Sequence, residues 1–498
     1  MAASPLGVHL ADEAATRRLG EDIAAILARG DALLLSGDLG MGKTALARAI
    51  VRALADDDGL EVPSPTFTIV QPYAARVPLW HFDLYRLSSP DELEELGLAE
   101  ALGEGAVLVE WPERAAGALP ADAARIALTE RGQGRDAEIS GPDGFLARLR
   151  RSLAIRAFLD RSGMAGASRR FLTGDASARA YETVSLPGRA PVILMDAPRR
   201  PDGPPIRHGL PYSRIAHLAE SVTPFVAIAG ALREQGFAAP RIDAADLDQG
   251  LLLVENLGSV GILDAEGRPI PERYIAAAEL LAEMHGRAWP RRIEVAPGVA
   301  HEVAAYDRGA LAIETELLTD WYLPHQAGKP VGEAGRLAYA SAWDAAFDLI
   351  GDGEKTLVLR DYHSPNLIWR AERQGHDRLG LIDFQDAVIG PAAYDVASLA
   401  MDARVTIPPG LERATVEAYC AARAARGGFD RANFDLAYAV MAAQRNSKIL
   451  GIFVRLNLRD GKPGYMRHLP RIRDYLARAL AHPALAALRA FYDKAGIL

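Results

Sequence analysis

The sequence predicts two folds in tandem, an α/β domain over residues 1–150 and a larger, two-lobed α+β domain over residues 153–498. Three observations predict them. A chain of 498 residues exceeds what one hydrophobic core supports. Near its start an apolar run, a glycine-rich loop carrying a lysine, and a helix-compatible stretch follow one another, the order of a strand–loop–helix unit in an α/β sheet. Far downstream, strand patterns come first and long helical patterns afterwards, which is the order of an α+β fold.

Composition bounds the function. A hydrophobic fraction of 49% with 24% charged residues belongs to a globular chain rather than a disordered one. The net charge of -9 excludes a chain held nonspecifically on nucleic acid by phosphate electrostatics. One cysteine, Cys420, excludes an intramolecular disulfide and a cysteine-built metal site, and fits a reducing compartment. The start, Met1-Ala2-Ala3-Ser4-Pro5-Leu6, lacks the basic and apolar regions of a signal peptide, and no apolar run is long enough for a bilayer. A cytoplasmic protein without membrane contact is expected. Positive charge is mostly arginine. Lysine stands only at positions 43, 329, 355, 448, 462 and 494, so each lysine position is informative.

In the first region a helical pattern over residues 12–29 leads to the buried-strand run Ala32-Leu33-Leu34-Leu35. Then comes Gly37-Asp38-Leu39-Gly40-Met41-Gly42-Lys43-Thr44, followed by a helical stretch. In such a phosphate loop, glycines (Gly37, Gly40, Gly42) let backbone N–H groups wrap phosphates. Lys43 reaches the terminal phosphates and Thr44 ligates Mg2+. Lys43 is the only lysine in the first 328 residues, and it falls where the loop needs it. Hydrolysis needs a further carboxylate near metal and water. Two acids end apolar segments, Asp83 and Glu110, and either can serve or be an ordinary strand-end acid. Between them and the loop, Val62-Pro63-Ser64-Pro65-Thr66-Phe67-Thr68 is stiffened by two prolines and offers the hydroxyl of Thr66, as a segment touching nucleotide or as a rigid connector.

These motifs, with His81-Phe82-Asp83-Leu84-Tyr85-Arg86-Leu87, Glu92-Leu93-Glu94-Glu95-Leu96-Gly97 and Val109-Glu110-Trp111-Pro112-Glu113-Arg114, together resemble the TsaE family. The resemblance covers nearly all of residues 1–145. It implies a small P-loop ATPase that acts with TsaB- and TsaD-like proteins in making threonylcarbamoyladenosine at position 37 of tRNA, touching tRNA only indirectly. It also implies that Lys43 and Thr44 bind phosphate and metal, that Thr66 and Glu110 complete the metal surroundings, that Asp83 supports hydrolysis, and that Trp111 lies at the site.

Turn-rich stretches at residues 131–135 and 140–144 suggest a last hairpin, and a helix over residues 145–159 follows. No Gly/Ser or Pro-rich tract separates the regions, so two folded units joined almost directly are expected. No internal repeat is present.

The second region opens with strand patterns at residues 170–173, 180–184 and 192–196 around the turn Gly174-Asp175-Ala176-Ser177-Ala178-Arg179, a layout that covers nucleotide phosphates in kinases. A helix over residues 215–235 and a strand over residues 250–258 come next. The backbone of Glu255 to Leu257 is the expected hinge to adenine. The strand lysine of protein kinases is missing, since the matching stretch reads Ile193-Leu194-Met195-Asp196-Ala197-Pro198. Arg179 is the candidate replacement cation.

The chemistry concentrates in Leu359-Arg360-Asp361-Tyr362-His363-Ser364-Pro365-Asn366-Leu367 and Leu381-Ile382-Asp383-Phe384-Gln385. A loop carboxylate (Asp361) can orient an attacking hydroxyl as base, while an amide and an acid (Asn366, Asp383) can hold Mg2+ on the phosphates of ATP. Asp395 reads as an anchor for that loop. Late in the chain Arg445, Lys448, Arg455 and Arg459 fall on helical spacing, as a solvated basic face or as a cradle for an anionic substrate group.

These motifs resemble the aminoglycoside and choline kinase-like superfamily, with Leu359-Arg360 ahead of the Asp and Tyr362 in place of a leucine. A narrower resemblance rests on Gly174-Asp175-Ala176-Ser177-x-Arg179-x-Tyr181, Met195-Asp196-Ala197-Pro198, the Asp361 loop, Gln444-Arg445-Asn446 through Arg455, and His468-Leu469-Pro470-Arg471. It is to the AmgK family and covers residues 165–490. The resemblance implies a protein-kinase-like, aminoglycoside phosphotransferase-like bilobal fold and phosphorylation of the anomeric hydroxyl of N-acetylmuramate and N-acetylglucosamine. It also makes the missing lysine a family trait. Asp307, Glu316 and Arg445 are the expected sugar contacts. The competing readings are a kinase of aminoglycoside antibiotics or another small molecule, and a pseudokinase that only docks the ATPase.

Overall fold

The computed structural model describes residues 4–87, 89, 92–172, 179–199, 201–351 and 353–498. By internal contacts the chain divides into two units: residues 1–196 with Leu251–Leu253, and Ala197–Gly250 with Val254–Leu498. The first therefore extends past the expected boundary near residue 150.

The first unit is built on a seven-stranded sheet. In chain order its elements are β1 (Leu6–Leu10), α1 (Glu13–Ile26), β2 (Ala32–Ser36), α2 (Lys43–Ala55), β3 (Val70–Tyr73), β4 (Leu79–Asp83), α3 (Glu92–Glu95), α4 (Leu98–Glu104), β5 (Ala106–Glu110), β6 (Ala124–Arg131), β7 (Gly134–Ser140) and α5 (Asp143–Leu159). The strand order is β1-β7-β6-β2-β5-β4-β3. β2 lies parallel to both β5 and β6, and β4 parallel to β5, while the edges are antiparallel. Central β2 and β5 are apolar because helices cover both faces of a parallel sheet, and Leu33, Leu34, Val107 and Leu108 are fully buried. Asp12 caps α1, accepting the Ala15 N–H at 2.7 Å. The helix then meets α2 at Gly20, where an added Cβ would come within 2.5 Å of the Ala49 Cβ. Three further strands, β8 (Ser168–Leu172), β9 (Ala180–Ser185) and β10 (Val192–Asp196), pair antiparallel in sequence. The turn Gly174 to Ala178 lies outside the described residues.

In the second unit the helix expected over residues 215–235 is two helices, Tyr212–Ile215 and Thr223–Glu234. Pro224 explains the later start, because proline has no N–H to donate and is tolerated only in the first helical turn. Two small antiparallel ladders follow the helix Glu333–Asp348. Lys355–Val358 pairs with Val388–Pro391, and Leu367–Trp369 with Leu379–Leu381. The Asp361 loop is thus strung between two anchored strands. The 28-residue helix Arg431–Leu458 runs behind it, and its Gly451 admits the Leu317 backbone, whose carbonyl oxygen would lie 2.2 Å from an added Cβ.

That close approach serves one buried carboxylate. Glu314 is fully buried and accepts hydrogen bonds from the Tyr306 hydroxyl, the Arg360 guanidinium, Gln444 Nε2 at 3.0 Å and Lys448 Nζ at 2.8 Å. Burial alone raises its pKa, but Arg360 and Lys448 overcome this and hold it at about 2. A depressed carboxylate stabilises the fold above its unfolded value and loses that contribution as pH falls through the folded one, here between about pH 4.5 and 2, on the order of 3 kcal/mol. Glu314→Gln, which leaves two buried cations uncompensated, is expected to cost about 3–5 kcal/mol at pH 7. In thermal unfolding followed between pH 7 and pH 2, the gap from the native chain should shrink steadily below pH 4.5.

Candidate functional site

In the first unit β2 delivers the chain to the glycine loop and α2 begins at Lys43, with Gly42 as its cap at φ +91°. Only glycine adopts this and the Gly37 and Gly40 conformations (φ +136° and +83°) without strain. Lys43 donates to the carbonyls of Gly37 at 2.6 Å and Asp38 at 2.9 Å, and its Nζ lies 3.6 Å from the Trp111 ring centroid. Burial pushes its ammonium below the usual lysine range, against the pull of Glu110, Glu113, Asp83 and Asp38. Trp111 itself is held in a left-handed conformation (φ +58°), and its ring lies 5.1 Å from that of Tyr85.

Asp83 and Glu110 end neighbouring parallel strands and are register partners. Each is buried and matched to a hydroxyl. Thr44 Oγ1 donates to Glu110 at 2.8 Å, and Thr66 Oγ1 to Asp83 at 2.8 Å. Ser64 also donates to Asp83, and the Tyr85 N–H does so at 3.0 Å. His81, fully buried, stands 2.9 Å from the other Glu110 oxygen. The structure therefore brings Lys43, Thr44, Thr66, Asp83, Glu110 and Trp111 together. Sequence reasoning missed Ser64 and His81. For His81 a signal existed, because it alternates with Asp83 along β4 and so shares its face.

In the second unit the Asp361 loop is tied down on several sides. Asp395, buried, accepts the N–H groups of Leu359 at 2.6 Å and Arg360 at 2.9 Å, in the anchoring role read from sequence. Arg360 takes a left-handed conformation (φ +70°) and donates to the Ala216 carbonyl at 2.7 Å as well as to Glu314. The Tyr362 hydroxyl donates to the Ala277 carbonyl at 2.8 Å, which is what a tyrosine adds at this position. Asp402 accepts the Ser364 N–H at 2.8 Å.

Asn366 closes the constellation. Its Nδ2 donates to the Asp361 carbonyl at 2.9 Å and lies 3.4 Å from Asp383 Oδ2. The Ile382 N–H donates to the Asn366 carbonyl at 3.1 Å, and Gln385 Nε2 donates to Asp383 at 2.9 Å. Asp383, at φ +60°, is a non-glycine residue in the strained left-handed region, where such outliers gather at functional sites. The Asp361 side chain remains 44% exposed. Burial of its surroundings raises its pKa, but His363, Lys448, Arg445 and Arg360 together hold it below the usual range. His363 stands 3.8 Å from both Asp361 and Asp402. Neither Asp402 nor Glu314 was given a role from sequence.

The basic positions of the late helix do not form a solvated face. Arg445 is buried, its Nε without a hydrogen-bond partner among the described residues, and Lys448 is paired with Glu314. Only Arg459 is turned outward, paired with Asp460. Of the other expected sugar contacts, Asp307 caps the helix Arg308–Thr315 and lies 3.1 Å from His217, and Glu316 binds Arg207 at 2.5 Å. Glu255 accepts the Arg241 N–H at 3.1 Å, and Leu257 packs where Gly380 has no side chain. Arg179 stands half-buried just before β9.

Thr44, Glu110 and Asp83 in one unit, and Asn366 and Asp383 in the other, are oxygen donors of the kind Mg2+ prefers. Among the described residues no group of three or more His, Cys, Asp or Glu is arranged to hold a metal. No helix among the described residues is long and apolar enough to cross a membrane.

Residues 10–137 match the family described as threonylcarbamoyl adenosine biosynthesis protein TsaE, and residues 168–431 the phosphotransferase enzyme family. The N-acetylmuramate/N-acetylglucosamine kinase of Caulobacter vibrioides is 37% identical over 357 residues, covering 69% of this chain and 96% of the relative. The tRNA threonylcarbamoyladenosine biosynthesis protein TsaE of Rickettsia conorii is 42% identical over 105 residues, 21% of this chain and 59% of the relative. That of Haemophilus influenzae is 37% identical over 119 residues, 22% and 74%. The chain belongs to the phosphotransferase enzyme family, with the protein-kinase-like fold of that family, and carries a TsaE-family α/β domain ahead of it.

Proposed function

We propose that the chain is a bifunctional enzyme using ATP at two sites: a TsaE-type ATPase acting in tRNA threonylcarbamoyladenosine formation, and a kinase of the anomeric hydroxyl of N-acetylmuramate or N-acetylglucosamine. The observation that carries the kinase reading is the joining of Asp361, Asn366 and Asp383 by one side-chain amide, in a chain whose relatives bear that kinase's name. Asp361 accepts the proton of the sugar hydroxyl and aims its oxygen at the terminal phosphate, while Asn366 and Asp383 hold the phosphate-bound Mg2+. Mg2+ supplies charge neutralisation on the transferring group. Arg360, pinned by Glu314, keeps the loop backbone in place. Arg179 is the cation standing for the missing strand lysine, and the backbone from Glu255 to Leu257 receives adenine.

In the first unit Lys43 and Thr44 hold the phosphates and Mg2+, Glu110 orients Thr44, and Asp83 with Thr66 directs water. TsaB- and TsaD-like proteins are its partners. Arg445 and Lys448 lie close enough to depress Asp361, which favours an anionic or neutral sugar over a cationic aminoglycoside.

With the purified chain and ATP, adding either sugar should raise ADP formation above the sugar-free rate of the first unit, and NMR should place the new phosphate on the anomeric carbon. Asp361→Ala is expected to lower that rate by about 10²–10⁴-fold, and Lys43→Ala to leave it unchanged; equal loss in both variants contradicts two sites. N-acetylmuramate carries a carboxylate that N-acetylglucosamine lacks. Arg445→Gln should therefore raise the KM for N-acetylmuramate about tenfold, a loss of about 1.4 kcal/mol, with little change for N-acetylglucosamine.

A further inference from the structure

Beyond both active sites, the first unit contains a dense group of buried charges: Glu21 and Asp22 on α1, Arg156 on α5, Arg169 on β8 and Glu182 on β9, each at most 8% exposed. Asp22 Oδ1 accepts from Arg156 Nη2 at 2.8 Å and from Arg169 Nη1 at 2.7 Å. Arg156 Nη2 also reaches Glu21 at 3.1 Å, and its Nη1 donates to the Ala167 carbonyl at 2.6 Å. Arg169 forks onto Glu182 at 2.6 and 2.7 Å and completes its shell on the Ser152 carbonyl and hydroxyl at 3.0 and 3.1 Å. Arg170 adds a longer contact to Glu21 at 3.7 Å and pairs with Asp56 at the end of α2. Every one of these groups is matched, which is the condition under which charges are tolerated away from water.

The placement matters more than the count. α1 and α2 are packed without clearance at Gly20 and Ala49, and α2 starts at Lys43 and Thr44. On the other side, Arg169 and Glu182 lie on adjoining strands whose register partners are Val184 and Leu194. A phosphotransferase domain that carried its own small sheet independently would have no need of a carboxylate from another domain inside it. The division of the chain agrees, because β8, β9 and β10 cluster with the α/β domain.

We propose that Asp22 is a positioning residue for the second enzyme: the α/β domain supplies, through Asp22, the buried charge that pairs with Arg169 of β8 and fixes β8 and β9. This rests on the proposed kinase function only in reading those strands as the ones that cover nucleotide. The positioning itself is independent of any activity. Because Asp22 touches no reacting atom, its loss acts through Arg169, which keeps Glu182 but must turn one fork toward a neutral neighbour.

The test uses the full chain and Asp22→Asn, which keeps the shape and removes the charge, with Asp22→Glu as the conservative variant. Backbone hydrogen exchange read by mass spectrometry should speed up at least tenfold in residues 169–172 and 180–185. It should stay at the native rate in β2, β5 and Lys355–Val358, and Asp22→Glu should restore much of the protection. Unchanged exchange in β8 and β9 overturns the proposal. So does acceleration spread equally through β2 and β5, which would make Asp22 a folding residue only. In the sugar-kinase assay, the KM for ATP should rise about tenfold with kcat nearly kept. Faster exchange in β8 and β9 without that KM change would refute their reading as the nucleotide-covering strands while leaving the anchoring intact.

Discussion

The second unit depends on one buried carboxylate. Glu314 collects a hydroxyl, a guanidinium, an amide and an ammonium from three separate stretches of chain. A lone carboxylate in that position would shed its charge, whereas with Arg360 and Lys448 beside it the charge persists. Arg360 is also the residue next to Asp361, so the same pairing that neutralises the interior sets the backbone of the Asp361 loop. The arrangement leaves Asp361 near Lys448 and Arg445 as well and still 44% open to solvent, a carboxylate kept ionised and accessible at once. That combination is what orienting a hydroxyl requires.

The first unit solves a similar problem by different means. Its two buried carboxylates, Asp83 and Glu110, are register partners at the ends of parallel strands. Each is held by a hydroxyl from a loop or helix start rather than by a cation. At the glycine loop Lys43 feels both carboxylates. Two unrelated ways of holding a carboxylate in place thus occur in one chain. The ionic cluster around Asp22 shows that the α/β domain and strands β8 to β10 are more closely joined than a simple tandem would require.

How much of this was legible in the sequence follows from how local each feature is. The glycine loop, Lys43 and Thr44 are contiguous, and their backbone conformations are written in glycines. Asp361, Asn366 and Asp383 fall within two short hydrophobic stretches, so strand patterns alone bring them together. Glu314 was passed over in favour of Glu316 two positions on. Residues two apart on a helix face different ways, and nothing local says which faces inward. Glu316 instead meets Arg207. The late arginines and lysine read as a helical stripe, but the length and burial of Arg431–Leu458 turn that stripe into the interior. The Asp22 and Arg169 pairing spans two regions that resemble different families, so neither resemblance contains it. The turn residues near 150 follow the last strand of the seven-stranded sheet, and the unit defined by contacts also takes in the strands through Asp196.

The central claim is that one chain holds two separate phosphate-binding constellations, centred on Lys43 and on Asp361 with Asp383. Calorimetric titration of the intact chain with a non-hydrolysable ATP analogue and Mg2+ tests it most directly. The account predicts two nucleotides bound per chain, falling to one in Lys43→Ala and to one, at the other affinity, in Asp383→Ala. A single binding event in the native chain, or loss of all binding in either variant, would contradict it.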